Sequence, residues 1–374
     1  MPGAGRRRCW AVLAVLLVAG CAGTTPRATP APPPSTHRPA GHPPQARFSP
    51  GTTSLRTPVR RAPTGRPVTL AFGGDVHFEG SVRRRLLNNP ATTLEPVASL
   101  LRGADLAMVN LETPVTDRGT AEPKQFVFRA PASAFTALKA GGVDVVTIAN
   151  NHGEDYGLVG LGDTLRAGRA AGMPIVGAGV DQAAAFAPWR RTIRGQRIAV
   201  IGATQVLDDF AITRWAAGPG KPGLASAKQA SVLLDAVRRA RTDSDTVVVY
   251  LHWGVERHQC PQADATNLAR QLVSAGADVV VGSHAHVLVG AGYLGGAYVD
   301  YGLGNFLFYA HGSGPATTSG VLTLSTRGHA VVGARWSPAV LRDGTTSPVT
   351  GSAAVAAIRA RDALRGCAGL AAHP

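Results

Sequence analysis

Residues 143–157 read V-D-V-V-T-I-A-N-N-H-G-E-D-Y-G, and this stretch decides the fold that the sequence predicts. Its first six residues are mostly apolar and β-branched, which is typical of a strand buried on both faces. Asn150, Asn151 and His152 follow at once, although such polar residues have no reason to lie in a core. An apolar-periodic segment, residues 158–171, then predicts a helix. Because ligands of α/β sheets bind beyond the carboxyl ends of strands, the polar residues indicate a site.

Five predicted strands end in residue types that bind metal ions. These strand ends carry Asp75 with His77, Glu112, Asn151 with His152, His252, and His284 with His286. Histidine and carboxylate ligands favour Zn, Mn, Fe or Co, because Mg and Ca prefer oxygen ligands alone. Alternate side chains of an extended segment share one face, so a D-x-H or H-x-H pair can reach one cation. Two cations about 3.5–4 Å apart need a bridging carboxylate, for which Glu112 is the candidate.

Each of these residues has a simpler explanation when it is taken alone. An aspartate after a strand, such as Asp75, commonly caps a helix. Asn151 can satisfy the backbone of a turn, and a single histidine such as His252 is more often a packed or exposed residue than a ligand. The coincidence at five strand ends favours a metal site over these separate explanations.

The formal net charge of +15 is concentrated near the amino terminus. Residues 1–66 contain ten arginines and no acidic residue, whereas the rest of the chain has 28 basic and 23 acidic residues. No basic patch interleaved with aromatic residues and no nucleic-acid-binding motif occurs in the sequence. Nucleic acid is therefore not an expected partner.

The first 20 residues have the pattern of a signal peptide. Arginines 6–8 precede a short apolar run, residues 11–19, which is too short for a membrane-spanning helix of the mature protein. The sequence V-A-G-C at residues 18–21 resembles a bacterial lipoprotein signal, with cleavage before Cys21 and a lipid on its sulfur. The alternative is an ordinary secretory signal with an incidental cysteine. The lipoprotein interpretation predicts a protein anchored by lipid to the outer face of the cell membrane.

Residues 21–66 are rich in Pro, Thr, Ala and Arg and nearly lack large apolar side chains, which predicts a disordered tether. Its arginines either favour an anionic membrane or wall polymer, or belong to a solvated linker. Residues 67–345 are predicted to form the folded domain. Residues 346–374 are predicted to form a C-terminal helix and tail.

Cys260 and Cys367 are the cysteines left after processing. Outside the cytoplasm such a pair is more often bridged than free, so a disulfide is expected to tie the C-terminal helix to the loop after His252. Zinc binding by the pair is disfavoured because neither cysteine has a CxxC neighbour.

Predicted strands alternate with helices and are followed by a strand-rich end. This order predicts a layered α/β fold in which two sheets pack together and helices cover the outside. Residues 124–129 (K-Q-F-V-F-R) alternate like a strand, and residues 189–202 predict a hairpin that turns at Arg194-Gly195-Gln196. A second hairpin is expected to bend at Arg327-Gly328. Residues 205–225 are expected to be a loop over the site.

Six sequence blocks, taken together, resemble one protein family. They are G-G-D-V-H, V-N-L-E-T-P, A-N-N-H-G-E-D-Y-G, L-H-W-G-V-E, G-A-D-V-V-V-G-S-H-A-H and G-L-G-N-F-L-F. In this order they resemble the CapA family of poly-γ-glutamate capsule synthesis proteins, which is similar to calcineurin-like metallophosphoesterases. The resemblance covers about residues 68–310. It implies the four-layer α-β-β-α sandwich of the metallophosphoesterase type.

The resemblance also implies roles for individual residues. The metallophosphoesterase D-x-H motif falls on Asp75 and His77, and the Asn–His pair makes Asn151 a ligand and His152 the acid that faces the leaving group. The family's bridging aspartate is replaced by Glu112, which is longer by one methylene group and can alter the spacing of the metals. The later ligands are His252, His284 and His286.

Further residues have two interpretations each. Asp155 orients or charges His152, or it caps the following helix. Lys124 and Arg129 bind an anionic substrate, or they belong to a solvated strand face. Asn305, in the block L-G-N-F, supports the ligands or the substrate, or it serves a turn.

The resemblance implies a metal-dependent hydrolase or transferase with one or two divalent metal ions of unknown identity. Its substrate would be an anionic envelope polymer or a phosphoester, and other capsule-synthesis proteins would be its partners. The cations would lower the pKa of water and neutralise charge on a phosphoryl or carboxylate oxygen. The alternative is a non-catalytic assembly or export factor that retains the fold.

Overall fold

The computed structural model describes residues 65–309 and 313–374. The predicted signal peptide, the predicted lipidation site Cys21 and residues 21–64 of the predicted tether lie outside the described residues. None of the helices within those ranges combines the length and the apolar character that a membrane span requires.

In the described part of the chain, strands and helices alternate for the most part as far as residue 283, and strands predominate from there to residue 348. The strands are β1 (Val68–Val76), β2 (Leu106–Leu111), β3 (Val145–Thr147), β4 (Ile175–Val176), β5 (Ala178–Gly179), β6 (Trp189–Ile193), β7 (Gln196–Thr204), β8 (Gly223–Leu224), β9 (Thr246–His252), β10 (Val279–Ser283), β11 (Ala291–Leu294), β12 (Ala297–Asp300), β13 (Asn305–Leu307), β14 (Thr318–Arg327), β15 (Ala330–Arg342) and β16 (Thr345–Pro348). The helices are α1 (Gly80–Asn88), α2 (Glu95–Arg102), α3 (Ser133–Gly141), α4 (Gly157–Ala171), α5 (Gln182–Ala185), α6 (Ala230–Asp243), α7 (Ala263–Ala275), α8 (Gly351–Ala363) and α9 (Arg365–Ala368).

Two large sheets form the centre of the fold. Within the described residues, sheet 1 has the strand order β13-β16-β15-β14-β1-β2-β3-β4, and sheet 2 has the order β11-β12-β10-β9-β7-β6. Strands β1 to β4 are parallel in sheet 1, and β7, β9, β10 and β12 are parallel in sheet 2. Strand β1 pairs with β14 along its first half and with β13 at its end, where Asp75 lies beside Asn305.

The two sheets pack face to face, and helices cover their outer faces. Phe72 and Met108 of sheet 1 belong to the same hydrophobic cluster as Val248 and Tyr250 of sheet 2. This cluster lies between the sheets and is the middle of the core. Helices α1 to α4 cover sheet 1, and helices α6 and α7 cover sheet 2. The predicted four-layer α-β-β-α sandwich is therefore confirmed.

The apolar runs of the sequence are explained by this layering. In β3, Val145 belongs to the cluster between the sheets and Val146 to the cluster under the helices. Strand β9 alternates in the same way, with Tyr250 facing the other sheet and Leu251 facing the helices. Because both faces of a central parallel strand are covered, alternation of polarity is absent and the strand is apolar throughout.

The carboxyl ends of β1, β2 and β3 lie at one edge of sheet 1, and those of β9 and β10 lie at the matching edge of sheet 2. Tyr250 Oη links the sheets near this edge by donating a hydrogen bond to Gly73 O at 2.8 Å. The chain approaches itself closely here, because a Cβ at Gly74 would lie only 1.9 Å from Gly304 O. The glycine pair before Asp75 is thus required for β1 and the segment before β13 to meet.

Both predicted hairpins are confirmed: β6 and β7 pair around Arg194-Gly195, and β14 and β15 pair from Arg327 to Ala330. The strand predicted at residues 124–129 is wrong. Its backbone donors are used by side chains instead, since Phe128 N donates to Asp155 Oδ2 and Arg129 N donates to Glu79 Oε1. The alternation of side chains correctly indicated an extended segment. It did not indicate whether a neighbouring strand pairs with that segment.

The C-terminal helices pack on sheet 2 and on β15. The buried guanidinium of Arg361 pairs with Asp300 and lies 4.2 Å from the ring centroid of Trp336. Cys260 and Cys367 form a disulfide with a Cα–Cα distance of 5.6 Å. The disulfide joins α9 to the loop between β9 and α7, in agreement with the connection that the sequence suggests.

Replacing both Cys260 and Cys367 by serine is expected to lower the free energy of unfolding by about 2–5 kcal/mol, because the disulfide closes a long loop and restricts the unfolded chain. Urea denaturation followed by circular dichroism measures the change. Wild-type protein in reducing agent serves as the matched control and should unfold with the double variant. Identical midpoints for oxidised wild type and double variant would contradict the prediction.

Candidate metal centre

Acidic and imidazole side chains from both sheets converge where the strand ends meet. Glu112, His284 and His286 each place a ligand atom within 4.8 Å of the others. Asp75 Oδ2 lies 3.4 Å from His286 Nδ1, and Glu112 Oε1 lies 3.5 Å from His252 Nε2. Predicted residues that are more than two hundred positions apart in sequence, such as Asp75 and His286, therefore form one cluster.

Asparagines and backbone amides hold Asp75 in this cluster. Asn110 Nδ2 donates to Asp75 Oδ1 at 2.8 Å, and His284 N donates to Asp75 Oδ2 at 3.1 Å. Asn150 Nδ2 donates in turn to Asn110 Oδ1 at 2.9 Å, and Asn150 Oδ1 accepts from His152 N. Asn150 thus fixes the loop after β3, and Asn110 joins that loop to Asp75.

His252 has one ring nitrogen fixed by its neighbours and one directed at the cluster. Its Nδ1 lies 3.0 Å from Ser283 Oγ, and its Nε2 lies 2.8 Å from Asn151 Oδ1. With the proton on Nδ1 donated to Ser283, the lone pair on Nε2 is available to a cation. Asn151 Oδ1 and His252 Nε2 are then neighbouring donors, as the predicted ligand set requires.

His284 and His286 reach the cluster through strained backbone. Their φ angles are +95° and +55°, a region that residues with a Cβ seldom occupy. The expectation that alternation along an extended segment directs both side chains to one cation is therefore wrong for this pair. The chain has left β10 before His284, and the left-handed residues redirect the two side chains.

Asn305 orients His286. Asn305 Oδ1 lies 2.9 Å from His286 Nδ1, and Asn305 Nδ2 donates to His286 O at 3.3 Å. These contacts leave His286 Nε2 facing Glu112 Oε1 at 3.9 Å. Asn305 therefore supports a candidate ligand, which is one of the roles predicted for it.

The donor atoms fit a divalent cation. Glu112 is fully buried, yet neither of its carboxylate oxygens accepts a hydrogen bond from any residue that the structure describes. The buried His284 Nδ1 is likewise without a partner in residues 65–309 and 313–374. Buried polar atoms are nearly always satisfied, so these unsatisfied carboxylate and imidazole atoms are candidate ligands of a cation. Mixed nitrogen and oxygen donors suit Zn, Mn, Fe or Co.

The electrostatics of the cluster favour an added positive charge. Burial, reinforced by the neighbouring Asp75 carboxylate, raises the pKa of Glu112 well above its usual range. Burial lowers the pKa of His286, but the charge of Glu112 and the hydrogen bond to Asp75 outweigh it and raise that pKa to about 9. Burial and the nearby His286 lower the pKa of His284 to about 3. A bound cation would supply the positive charge that, in its absence, comes from a proton on His286.

Next to the cluster, His152 forms a hydrogen-bonded pair with Asp155. Its Nδ1 lies 2.7 Å from Asp155 Oδ2, which also accepts from Phe128 N at 2.7 Å. Asp155 makes no capping hydrogen bond to α4, whose N-cap residue is Tyr156. Of the two interpretations of Asp155, the structure therefore supports orientation of His152. Burial lowers the pKa of His152, and the hydrogen bond to Asp155 opposes this.

His77, which was predicted to be a ligand, has a backbone amide within hydrogen-bonding distance of each ring nitrogen. Glu79 N donates to its Nδ1 at 3.2 Å, and Tyr309 N lies 3.1 Å from its Nε2. Its ring stacks on Phe128 instead of joining the carboxylates. The D-x-H prediction assumed a regular extended segment, but β1 has register irregularities on both sides of Asp75 and ends before His77.

Lys124 and Arg129, which were predicted to bind an anionic substrate or to lie on a solvated strand face, both contact groups of the protein itself. Lys124 Nζ lies 3.1 Å from both Asp155 Oδ1 and Asp208 Oδ2, and its side chain is only 9% exposed. Its charge is therefore used to hold the His152 loop and the 205–225 loop together. The guanidinium of Arg129 stacks over Tyr156, at 4.9 Å from the ring centroid.

Several residues of the site were missed by sequence reasoning. Asn110 binds Asp75, Ser283 binds His252, and Phe128 and Phe308 pack on imidazole rings. Asn110 gave a signal, since it is a polar residue within the apolar run of β2. The aromatic residues gave none, because a phenylalanine in a loop is equally typical of ordinary core packing.

Glu112→Gln is expected to abolish metal binding and with it the stabilisation of the fold by metal. Without metal the variant should be at least as stable as wild type, because it removes an unpaired buried carboxylate. With metal at a hundred times its Kd, wild type should gain about 2.7 kcal/mol and the variant nothing. Metal analysis and thermal unfolding with Zn²⁺ or Mn²⁺ measure both effects.

Glu154→Gln is the matched control for this variant. Glu154 is also a buried glutamate with an unsatisfied oxygen, and burial raises its pKa to about 8, but its charged neighbours are Lys221, Glu122 and Arg214. The control should respond to metal as wild type does. Full metal content in Glu112→Gln would contradict the assignment of the site.

Comparisons with known proteins agree with the blocks quoted from the sequence. A family model described as bacterial capsule synthesis protein PGA_cap matches residues 69–310. The PGA biosynthesis protein CapA of Bacillus subtilis (strain 168) is 30% identical over 256 residues, which are 67% of this chain and 66% of that protein. The capsule biosynthesis protein CapA of Bacillus anthracis is 32% identical over 251 residues, which are 64% of this chain and 60% of that protein. The chain thus spans slightly less than two thirds of the length of these relatives.

A solved structure described as a novel phosphatase of Mycoplasma pneumoniae aligns with 75% of this chain and 96% of its own, at 15% identity and a TM-score of 0.45. A likeness this distant bears on neither activity nor substrate. The family match, in contrast, spans most of the folded part and includes every candidate ligand of the cluster. On that basis, the chain belongs to the bacterial capsule synthesis protein family PGA_cap.

Proposed function

We propose that this protein is a metal-dependent hydrolase or transferase that acts on an anionic envelope polymer or a phosphoester during capsule synthesis. One observation carries the proposal: the unsatisfied, buried Glu112 carboxylate lies among imidazoles and beside the separate His152–Asp155 pair. A cation site needed only for stability would not require a second, oriented imidazole next to it. The class of substrate is suggested by relatives that are named for capsule and PGA biosynthesis.

A divalent cation held by Asp75, Glu112, Asn151, His252, His284 and His286 would supply positive charge to a substrate oxygen and lower the pKa of water. The chain's own contribution is positioning. Asn110, Ser283 and Asn305 orient three of these donors, so the donors lose little freedom when a ligand binds.

His152 is the residue assigned to proton transfer. Asp155 accepts a hydrogen bond from the N–H group at Nδ1, which leaves Nε2 as the atom that gives a proton to, or takes one from, the substrate. A proton on Nε2 is disfavoured by burial in the free protein. An anionic substrate beside the ring would raise its pKa and so favour the acid form when the substrate is bound.

The proposal includes the location of the protein. A lipid on Cys21 and the 21–66 tether would hold the folded part at the outer face of the cell membrane, close to an envelope polymer and to other capsule-synthesis proteins. The support for this location is the sequence pattern of residues 1–21.

His152→Asn is expected to lower kcat by about 10²–10⁴-fold while metal content stays at the wild-type level, because the residue transfers a proton and is not a ligand. Turnover is measured with bis(p-nitrophenyl) phosphate and with short γ-linked glutamate oligomers. His373→Asn is the control, since His373 is exposed near the C-terminus. A fully metal-loaded wild type that turns over neither substrate class would instead support a non-catalytic assembly or export factor.

Cys21→Ser is expected to release the protein from the membrane fraction of a bacterial host and to abolish incorporation of labelled fatty acid. Cys260→Ser is the control, because it removes a cysteine that lies outside the signal pattern. Fatty-acid labelling that persists in Cys21→Ser would contradict the anchor.

A further inference from the structure

The ring of His77 lies at one end of a stack of three rings. The centroids of His77 and Phe128 are 4.7 Å apart with planes at 23°, and those of Phe128 and His152 are 4.2 Å apart with planes at 25°. Phe128 is thus held between two imidazoles. Aromatic pairs at these distances contribute attraction beyond the burial of their area.

Both nitrogens of His77 face backbone amides, which leaves none for a cation. Glu79 N and Tyr309 N lie 3.2 and 3.1 Å from Nδ1 and Nε2 respectively. A neutral imidazole has a single in-plane lone pair. Whichever nitrogen carries it, a backbone N–H group points at that lone pair. The backbone therefore fixes the plane of the ring and its orientation against Phe128.

Phe128 fixes His152 in two ways. Its ring covers one face of the imidazole, and its backbone N–H donates to the same Asp155 oxygen that binds His152 Nδ1. Among the residues that the structure describes, no protein group makes a hydrogen bond to His152 Nε2. The face and one edge of the ring are therefore fixed by the protein, and the other edge is left for a ligand.

Phe308 joins the stack to the metal centre. Its ring contacts His77 edge-on, with centroids 4.0 Å apart, and it contacts the ligand His286 with centroids 4.7 Å apart. Without the ring of His77, a void would separate Phe128 from Phe308, and Phe128 would lose the support on the side opposite His152.

We propose that His77 is a positioning residue, which holds Phe128 against His152, and that it is not a ligand of the cation. The functional meaning of this inference rests on the proposed role of His152 in proton transfer. The statement that His77 is not a ligand does not rest on that role, since metal content can be measured without any substrate.

The first experiment measures metal content of the full folded protein after loading with Zn²⁺ or Mn²⁺. His77→Phe keeps a ring of similar size but has no nitrogen, and it should bind as much metal as wild type. Asp75→Asn is the comparison and should lose metal. Loss of metal in His77→Phe, with circular dichroism like that of wild type, would make His77 a ligand and overturn the proposal.

The second experiment measures how firmly His152 is held, by its rate of modification with diethyl pyrocarbonate as read by mass spectrometry. Phe128→Leu and His77→Ala should speed modification of His152 by about two- to tenfold, the range expected for loss of one aromatic pair. Phe128→Tyr and His77→Phe keep the stack and should react like wild type. The exposed His373 is the internal standard.

Equal rates in wild type, Phe128→Leu and His77→Ala would overturn the positioning role. Should the wild type bind no metal and turn over no substrate, the proposed function fails, but the reactivity of His152 still tests the stack. Should Phe128→Leu not fold, the comparison of His77→Ala with His77→Phe decides the same question.

Discussion

The carboxyl groups of Asp75 and Glu112 are completely buried next to each other at the edge where the two sheets meet. An ionised carboxylate in such a place is strongly unfavourable unless a positive charge compensates it. Asp75 is compensated in part by Asn110, a backbone amide and His286, whereas Glu112 has no hydrogen bond from any described residue. The surrounding imidazoles, the hydrogen-bonded asparagines and the strained backbone of His284 and His286 are all arranged around this uncompensated charge.

The layered fold supplies what that charge requires. Parallel strands end at a common edge, so each sheet contributes donors from several strands without long loops. Exact placement then depends on polar links, from Asn150 to Asn110 to Asp75 on one side and from Asn305 to His286 on the other. The positive φ angles of His284 and His286 are tolerated because these links and the adjacent strands hold the loop in place.

The loop before α3 connects the centre to its surroundings. Lys124 forms ion pairs with Asp155 and Asp208, and Phe128 packs between His77 and His152. The sequence predicted a strand here, because the alternation K-Q-F-V-F-R has period two, and it left open whether Lys124 and Arg129 bind substrate or lie on a solvated face. The period was informative about the extended backbone, but its hydrogen-bonding partners are side chains from other segments. Hydrogen-bonding partners from distant segments cannot be predicted from a pattern of adjacent residues.

By itself, the sequence determined the order of the elements, the two hairpins, the double burial of the central strands and the strand ends that carry the ligands. These features follow from periodicity, turn residues and abrupt changes of polarity, all of which are encoded within a few adjacent residues. Only the tertiary structure decided which polar side chains face the cluster and which serve one another. His77, Lys124 and Asn305 have the residue types of ligands or substrate contacts, yet their roles depend on groups as far away as Tyr309, 232 positions from His77. The physical reason is that a side chain's role is set by its hydrogen-bonding and packing partners, and those are brought together by the fold.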